Sequence, residues 1–520
     1  MTMMKQYEMF ELVFPGEKRT DNWASINLTA EFTCGKVRKT VEGFYDGEGR
    51  YVVRFLPEIT GEWHWRVSGA ANAEGTEVCE PAEGSHGLIK AVDTHFEYAD
   101  GKLFIPFGTT VYALAHQDDA LVEQTLGSLK AAPFNKVRMC VFPKHYDYNH
   151  NEPPFYAFEK REDGSWDVDR PCISFWHRFE KILQRIAEMG IQIDLILFHP
   201  YDRWGFAALP QRDNLVYLDY LLRRLSAFPN VWWSLANEYD LNMDSKSLAD
   251  WEEIEEYVFS HDPFHHLLSN HNCMCFWDTS RPNITHASLQ TKGFSEIPRW
   301  MQKYQKPVII DECCYEGNLP HYWGSISAKE MVRRFWRCYA SGAYCTHGET
   351  FLSDDEILWW ARGGKLKGES PERIAFLRKI MESLPGPLKP RNREIVSVAL
   401  LEGDAYEEAL NQIQEPMKRH FYKLFGDSIH RMDLQDRTAH LAGEHTWDAS
   451  CGEEAYLTYF DLQCYGKQTV RLPEDKLYRA ELIDVWNMTR EVIAENISGE
   501  TTLPLPGRDN LALLITRVQA

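Results

Sequence analysis

The order of apolar and polar positions divides the chain into three zones. In the first zone, which ends near residue 90, short runs alternate between apolar and polar residues at 25–33, 51–55 and 63–67, with turn signals between them. This period of two predicts a small antiparallel β-sandwich. The segment 70–86, rich in Gly, Ala and Glu, is predicted to be a loop that leads out of the sandwich.

The second zone alternates apolar, strand-like runs with amphipathic, helix-like runs, which is the pattern of βα units. Strands are predicted at 102–114, 135–142, 192–199, 230–239, 266–272, 284–290, 307–314 and 343–351. Helices are predicted at 118–132, 174–189, 214–228, 245–260 and 328–340, and a last helix is predicted to begin at Ser370 and Pro371. Eight strands in roughly 300 residues match the size of a (β/α)8 barrel. An open doubly wound sheet is the competing arrangement, but no glycine-rich fingerprint follows any of these strands.

The third zone, from about residue 391, returns to strand patterns at 394–401, 454–460, 477–486 and 510–518, and 385–390 resembles a linker into it. These runs predict a second β-sandwich. The expected fold class is therefore α/β. It consists of an N-terminal β-sandwich (1–90), a (β/α)8 TIM barrel (91–388) and a C-terminal β-sandwich-like domain (389–520).

Charge and cysteine usage limit the partners of the protein. The formal net charge is −21, which repels phosphate backbones and anionic lipid surfaces, so neither nucleic acid nor a membrane is an expected partner. The first ten residues lack the apolar region of a signal peptide, and the 12 cysteines contain no CxxC pair. We therefore expect a cytoplasmic protein with reduced thiols. A C-terminal β-domain is also compatible with a homo-oligomer.

Two of the predicted barrel strands end in a carboxylate. One apolar run leads into Asn237 and Glu238, and another leads into Asp311 and Glu312. Barrel enzymes place their chemistry at the C-terminal ends of the strands, and two carboxylates are the minimum equipment for hydrolysing a glycosidic bond. Because side chains alternate along a strand, Asp311 and Glu312 are expected to face opposite ways, with one of them at the barrel centre.

These two segments resemble the glycoside hydrolases of clan A, in which a strand-four Asn-Glu supplies the acid/base and a strand-seven Glu the nucleophile. The chain is also similar to the apiosidase-like glycosidases, which share the three-part layout, through segments 105–110, 135–139, 311–317, 343–350, 358–364 and 368–374. The resemblance implies a retaining mechanism. Glu312 is the expected nucleophile, Glu238 is the expected acid and then base, and retention places the two carboxyl groups about 5–5.5 Å apart.

Other polar and aromatic residues near predicted strand ends are candidates for binding the substrate. The resemblance implies that Arg138, on strand two, orients the nucleophile. The remaining candidates, each of which could instead be a satisfied polar or packing group of the barrel, are Asn237, His199, Tyr112, His271, His286, Gln290, His347, Glu349, Trp359 and Trp360. Glu316 and Glu349 are lesser rivals of Glu312 for the nucleophile. The insertion 143–170 is expected to wall off one side of the barrel mouth, which predicts an exo-acting enzyme.

Two other function classes remain open. A metal-dependent amidohydrolase barrel requires a His-x-His on its first strand, and 102–114 contains no histidine; a strand-eight Asp is also replaced by His347 and Glu349. A non-catalytic carbohydrate-binding protein needs neither Glu238 nor Glu312. We therefore predict a retaining, exo-acting β-glycosidase that hydrolyses small glycosides or oligosaccharides, with no metal and no cofactor.

Overall fold

The computed structural model of the chain describes residues 3–443 and 447–518. Two compact units are present. The first comprises Met1–Gln290, Lys306–Ala328 and Cys345–Pro371, and the second comprises Thr291–Gln305, Lys329–Tyr344 and Glu372–Ala520. Among the helices of the described residues, none combines the length and the apolar character needed to cross a membrane.

The first unit begins with antiparallel sheets. Its strands are β1 (Phe10–Pro15), β2 (Leu28–Cys34), β3 (Val37–Glu42), β4 (Phe44–Tyr45), β5 (Arg50–Phe55), β6 (Gly61–Gly69) and β7 (Ala73–Cys79). One sheet has the order β3-β2-β6-β7 and the other β1-β5-β4. The predicted loop at 70–86 is wrong in part, because β7 pairs with β6 over its whole length. An edge strand bonds through its backbone on one side and needs few apolar residues, so composition did not reveal it.

A small antiparallel sheet of β8 (Ile89–Val92), β9 (His95–Tyr98) and β10 (Leu103–Phe104) precedes the barrel. From residue 107 the strands are β11 (Phe107–Thr110), β12 (Lys136–Cys140), β13 (Phe158–Lys160), β14 (Trp166–Pro171), β15 (Gln192–Phe198), β16 (Val231–Ala236), β17 (Leu268–Ser269), β18 (Ala287–Gln290), β19 (Val308–Glu312), β20 (Glu316–Gly317), β21 (Tyr344–His347) and β22 (Glu349–Thr350). The first predicted barrel strand, 102–114, is divided between β10 and β11. Pro106, which lacks a backbone donor, lies between these two strands.

Eight of these strands form one parallel sheet in the order β17-β16-β15-β12-β11-β21-β19-β18. The sheet curls until its two edge strands meet. There, the Thr285 backbone N–H donates to the Leu268 carbonyl (2.9 Å), and Asn272 exchanges two hydrogen bonds with Gln290. The predicted eight-stranded TIM barrel is confirmed as a nearly closed barrel.

The helices are α1 (Asp119–Ala131), α2 (Ile173–Ala187), α3 (Gln211–Leu225), α4 (Leu248–His261), α5 (Ile297–Tyr304), α6 (Ala328–Tyr339), α7 (Trp359–Arg362), α8 (Ser370–Glu382), α9 (Glu394–Ala399), α10 (Gly403–Gln412), α11 (Pro416–Arg431) and α12 (Leu434–Gly443). The six predicted helices correspond to α1, α2, α3, α4, α6 and α8. Local capping explains two of them: Asp118 accepts a hydrogen bond from the Leu121 N–H, and Ser247 forms a capping box with Asp250.

The second unit ends in an antiparallel sheet with the order β23-β24-β25-β30-β27-β28 and a separate pair, β26-β29. These strands are β23 (Lys389–Pro390), β24 (Trp447–Cys451), β25 (Ala455–Tyr459), β26 (Lys467–Arg471), β27 (Tyr478–Asp484), β28 (Thr489–Ile497), β29 (Glu500–Pro504) and β30 (Leu511–Arg517). The strand predicted at 394–401 is wrong, because Glu394–Ala399 form α9. Its β-branched run buries Ile395, Val396 and Val398 on a helical face, so tertiary packing overrides strand propensity. The domain limits at residues 90 and 388 remain predictions.

Candidate active site

Glu238 follows the buried strand β16 at the mouth of the barrel. Its backbone is left-handed (φ 56°, ψ 56°), a conformation that is uncommon for residues other than glycine. The Glu238 N–H donates to Nδ1 of His271 (3.3 Å), which holds this turn. The Glu238 carboxylate accepts from the Tyr201 hydroxyl (2.5 Å) and from Nδ2 of Asn237 (3.0 Å). Glu238 is therefore buried and fixed in orientation on both its backbone and its side chain.

Glu312 ends β19 and faces the same part of the barrel mouth. The Tyr112 hydroxyl donates to Oε1 of Glu312, and the same hydroxyl lies 2.8 Å from Oδ1 of Asn237. Arg138 Nη1 lies 3.6 Å from Glu312 Oε1. Tyr112 and Asn237 thus form a polar chain between the two carboxylates, in which the single hydroxyl hydrogen of Tyr112 serves Glu312 or Asn237 Oδ1 but not both at once. Burial and the charge of Glu238 raise the pKa of Glu312 to about 7, against the opposing charge of Arg138.

The expectation that Asp311 and Glu312 face opposite ways is wrong. The pairing of β18 with β19 shifts register here: Leu289 pairs with Ile310, but Gln290 pairs with Glu312, so Asp311 is an extra residue on its strand. Such a β-bulge breaks the strict alternation of side chains. As a result Asp311 and Glu312 both approach the guanidinium of Arg138, with oxygens 4.0 and 3.6 Å from it.

A layer of buried charges supports Glu312. Lys136 Nζ lies 2.7 Å from Asp194 Oδ2 and 2.6 Å from Asp311 Oδ1, and Arg138 Nε lies 3.4 Å from the same oxygen of Asp194. Although burial raises the pKa of the Asp311 carboxyl, the Lys136 and Arg138 charges hold it well below its usual range. The formal charges of these two cations and two carboxylates balance, and Arg138 lies between this layer and Glu312.

An aromatic wall with one buried lysine lines the mouth beside the two carboxylates. Lys144 Nζ lies 3.4 Å from the ring centroid of Tyr112 and 4.3 Å from that of Tyr201. The Trp360 ring lies 4.8 Å from Tyr146 between centroids, and it also contacts Tyr315. Burial lowers the pKa of Lys144, while both catalytic candidates oppose that shift. A flat apolar surface next to paired carboxylates suits the C–H face of a sugar ring.

Several of these residues were missed by the sequence analysis. Lys144 and Tyr146 lie in the insertion that was singled out at 143–170, but no pattern marked individual positions within it. Tyr201 lies two residues after His199, and Tyr315 lies three residues after Glu312. The sequence signal that could have identified Tyr201 and Tyr315 is that each lies close to a predicted strand end.

Of the other predicted binding residues, some lie close to the carboxylates. His271 contacts the backbone of Glu238, as described above. Gln290 reaches the thiol of Cys273 (3.9 Å), whose pKa is raised to about 12 by burial and by the Glu238 charge. His199 is buried, and its Nε2 bonds to the Phe142 carbonyl (3.2 Å), so its place is behind the mouth rather than in it.

The structure does not bring the remaining predicted binding residues to the carboxylate pair. They are His286, His347, Glu349 and Trp359. His286 packs on Trp232 near the N-terminal end of β16. His347 and Trp359 both hydrogen-bond to the hydroxyl of Thr109 (3.1 and 2.8 Å). The next residue, Thr110, is the register partner of Arg138, whose side chain faces the inside of the barrel. Since neighbouring strand residues face opposite sides, His347 and Trp359 lie on the outer side of the barrel wall.

Glu316 and Glu349, the rivals for the nucleophile, also lie apart from Glu238. They are register partners in the parallel pair β20-β22 and are covered by the loop at 367–370. Neither therefore competes with Glu312 for a position at the barrel mouth. Across the described residues, the His, Cys, Asp and Glu side chains with metal-ligand spacing are these two and His347, and none belongs to the mouth.

Family comparisons match the chain in three places. Residues 91–386 match the family model described as the apiosidase-like catalytic domain. Residues 3–70 and 446–516 match two domains of unknown function, DUF5060 and DUF5605. No curated protein matches the sequence.

Comparison with solved structures gives matches over the whole length. The crystal structure of a candidate glycoside hydrolase of Bacteroides vulgatus ATCC 8482 has 33% identity and a TM-score of 0.84, covering 100% of both chains. A glycoside hydrolase family 5 protein of the same organism has 15% identity and a TM-score of 0.57, covering 83% of this chain and 94% of its own. A further glycoside hydrolase has 14% identity, a TM-score of 0.58 and coverage of 83% and 97%. The last two similarities show the fold alone.

Proposed function

The chain belongs to the apiosidase-like glycoside hydrolase family, and from this premise we propose that it is a retaining, exo-acting β-glycosidase. The observation that carries the proposal is the polar chain Glu312–Tyr112–Asn237–Glu238. It connects two carboxylates that lie at the ends of two different barrel strands. Both retaining and inverting glycosidases use such a pair of carboxylates, and we assign double displacement to this one from the resemblance to the glycoside hydrolases of clan A.

In the first step of the proposed reaction, Glu312 attacks the anomeric carbon while Glu238 gives its proton to the departing oxygen. The product of this step is a glycosyl ester on Glu312. Glu238, now ionised, takes a proton from water, which attacks the anomeric carbon from the side of the departed group and releases the sugar. Two inversions at one carbon give net retention.

The protonation of the pair follows from what surrounds each carboxylate. The first step needs one proton on the pair, held by Glu238. Arg138 Nη1 lies 3.6 Å from Glu312, and Tyr112 donates to that same carboxylate. Both interactions oppose the rise in the pKa of Glu312 that burial and the Glu238 charge cause.

The exo mode is supported by residues of the insertion between β12 and α2. Lys144 and Tyr146 lie against Tyr112 and Trp360, so the insertion occupies one side of the mouth. An endo-acting enzyme binds a chain of sugars that extends beyond the catalytic pair on both sides, so both sides of its mouth must be open. We therefore infer a pocket that accepts the non-reducing end of a small glycoside or oligosaccharide.

The test is hydrolysis of a panel of aryl β-glycosides, pyranosides and furanosides, by wild type, Glu312→Ala and Glu238→Ala. We expect one or more panel members to be cleaved by wild type, and kcat to fall at least 1,000-fold in Glu312→Ala, because the nucleophile is lost. Azide should restore Glu312→Ala as the α-glycosyl azide and Glu238→Ala as the β-glycosyl azide. Proton NMR of the first sugar released identifies its anomer.

The matched control is Glu188→Gln. This exposed glutamate follows α2 at the opposite end of the barrel from the mouth, so the kcat of the Glu188→Gln variant should equal that of wild type. Release of the α-anomer by wild type would overturn retention. Near-wild-type activity in Glu312→Ala would overturn the nucleophile assignment. Tight sugar binding without cleavage of any panel member would instead favour a carbohydrate-binding protein.

A further inference from the structure

A second group of ionisable side chains is buried in the first unit, apart from the catalytic pair. Glu316, His347 and Glu349 each offer a ligand atom, and these atoms lie within 4.8 Å of one another. All three residues are at most 3% exposed. Glu316 and Glu349 face each other as register partners of β20 and β22. The parallel pairing itself therefore brings the two carboxylates together.

Backbone N–H groups of the loop at 367–370 donate hydrogen bonds to three of the four carboxylate oxygens of Glu316 and Glu349. The Lys367 N–H donates to Glu349 Oε2 (2.7 Å), and the Glu369 and Ser370 N–H groups donate to Glu316 Oε1 and Oε2 (2.9 and 3.2 Å). Gly368 permits this approach, because a Cβ at that position would lie 2.5 Å from Glu316 Oε2. The loop is shaped to enclose the two carboxylates.

Two ligand atoms in the group have no hydrogen-bond partner. They are Nε2 of His347 and Oε1 of Glu349, which are fully buried and lie 3.6 Å apart. The other ring nitrogen, Nδ1 of His347, is occupied by the hydroxyl of Thr109 (3.1 Å). A buried polar atom left without a partner is costly, and such an atom in a native site calls for an absent group.

The charge of the group is also unbalanced. Within residues 3–443 and 447–518, Glu349 has an ion-pair contact with His347 (3.6 Å), and no Lys or Arg nitrogen lies within ion-pair distance of Glu316 or Glu349. Two adjacent carboxylates without a Lys or Arg partner repel each other, and this repulsion is strong where water is excluded. Backbone N–H groups reduce the cost but supply no net charge.

We propose that Glu316, His347 and Glu349 bind a divalent transition-metal cation, with Zn²⁺ or Mn²⁺ as the class of ion. One imidazole nitrogen with two carboxylates suits these ions, whereas Ca²⁺ and Mg²⁺ prefer oxygen ligands alone. A tetrahedral ion with bonds of about 2.1 Å holds its ligands roughly 3.4 Å apart. The 3.6 Å between His347 Nε2 and Glu349 Oε1 matches that spacing.

Such a cation would join the ends of β20 and β22 to the end of β21 and to the loop at 367–370. Its role is structural, because the group lies on the outer side of the barrel wall. Glu316 follows Tyr315, which contacts Trp360 in the aromatic wall of the catalytic mouth. The proposal is independent of the glycosidase mechanism, since no step of that mechanism uses the metal.

The first experiment measures metal in the purified full chain by inductively coupled plasma mass spectrometry. The protein is stripped with a chelator, dialysed, and incubated with ZnCl₂, MnCl₂ or MgCl₂ before gel filtration. We expect about one equivalent of Zn²⁺ or Mn²⁺ per chain and no retained Mg²⁺. The Tm of the stripped protein should rise with the logarithm of the Zn²⁺ or Mn²⁺ concentration. Stripped wild type that retains neither ion and shows no rise in Tm would overturn the proposal.

The second experiment compares Glu349→Gln with Glu356→Gln, an exposed glutamate in a nearby loop of the same unit. Glu349→Gln keeps an oxygen for the Lys367 N–H but removes the charge. We expect its metal affinity to fall at least tenfold and its Tm to become insensitive to chelator, while Glu356→Gln behaves as wild type. If the carboxylates bind no metal, Glu349→Gln only relieves their repulsion. The Tm of Glu349→Gln would then exceed that of wild type by the same amount in chelator and in metal, and this result would contradict the proposal.

Discussion

The hydroxyl of Tyr201 donates a hydrogen bond to Oε2 of Glu238 at 2.5 Å. Burial and the Glu238 charge raise the pKa of Tyr201, so this hydroxyl stays protonated and acts as a donor at neutral pH. Together with Asn237 it fixes the carboxylate that we propose as the acid and base. The acid is thus positioned by a residue from the loop after β15 as well as by its own strand.

Tyr201→Phe should lower kcat about tenfold to 100-fold, because a hydrogen bond to a charged group contributes roughly 1.5–3 kcal/mol. The variant keeps the ring that contacts Tyr146 and Lys144, so folding should be preserved. Steady-state kinetics on the cleaved aryl glycoside, with Tm as the control for folding, provide the measurement. A kcat within twofold of wild type would show that Tyr201 does not position Glu238 for proton transfer.

The second prediction concerns the pH profile. Burial and the Glu238 charge raise the pKa of Glu312 to about 7, and the charge of Lys144 opposes this rise. The reaction needs one proton on the pair, so kcat/KM should fall as the pH rises through about 7, when that proton is lost. Lys144→Met removes a cation that stabilises the doubly ionised pair, so the pair should keep its proton to higher pH and this basic limb should move upward.

Lys144→Arg is the matched control, because it keeps the charge and should leave the basic limb near its wild-type position. The measurement is kcat/KM from pH 4 to 10 in buffers of constant ionic strength. A basic limb that moves downward in Lys144→Met would have the wrong sign for an interaction between Lys144 and the carboxylates.

How much of this site the sequence predicts depends on whether a residue's place is set locally. Glu238 and Glu312 end apolar runs, and strand direction alone brings such ends to one face of a barrel. That Asp311 and Glu312 face the same side was not predictable, because the bulge at Asp311 results from the pairing of β19 with another strand, β18. Lys144 reaches Tyr112 by folding back of a long insertion, which leaves no periodic signal.

The same distinction applies to the rest of the fold. α1 was predicted because Asp118 caps it and its apolar spacing is regular. α9 was missed because Glu394–Ala399 has strand-like residues and becomes helical through packing. β7 was missed because an edge strand that is largely exposed carries no apolar alternation.

The third prediction concerns stability at acidic pH. Glu180 in α2 lies between Arg54 of β5 and Arg224 of α3, at 2.8 and 2.6 Å. Burial raises the pKa of Glu180, but the two guanidinium groups outweigh it and lower that pKa to about 2. Because the folded pKa lies below the unfolded value, the stabilisation is present above about pH 4.5 and is lost as the pH falls towards 2.

Glu180→Gln should therefore lower the free energy of unfolding by about 3 kcal/mol at pH 7, since it removes the carboxylate that the two buried guanidinium groups share and leaves Arg54 with Glu11 and Arg224 with Asp46. Urea denaturation of wild type and variant at several pH values measures the difference. We expect the gap between them to narrow from about pH 4.5 downward. A gap that is constant across this range would mean that the charge of Glu180 does not contribute to stability.

The last prediction separates two adjacent tryptophans. Trp360 contacts Tyr112 and Tyr146 in the wall of the catalytic mouth, whereas Trp359 donates its indole N–H to Thr109 on the outer side of the barrel. Successive residues of α7 point about 100° apart, which is why two neighbours serve different surroundings. Trp360→Ala should raise KM at least tenfold, because it removes a ring that we expect to contact the sugar. It should change Tm less than Trp359→Phe does.

Trp359→Phe should do the reverse. It removes a buried hydrogen bond and part of a fully buried ring, so Tm should fall while KM stays within about twofold of wild type. Kinetics and thermal unfolding give KM and Tm for each of the two variants and for Trp360→Phe, a conservative control. If both variants changed KM equally, the substrate pocket would have to extend to Thr109, and the assignment of Trp359 to packing would be wrong. If neither changed KM, the aromatic wall would lie outside the path of the sugar, and the side closed by the insertion would no longer support exo action.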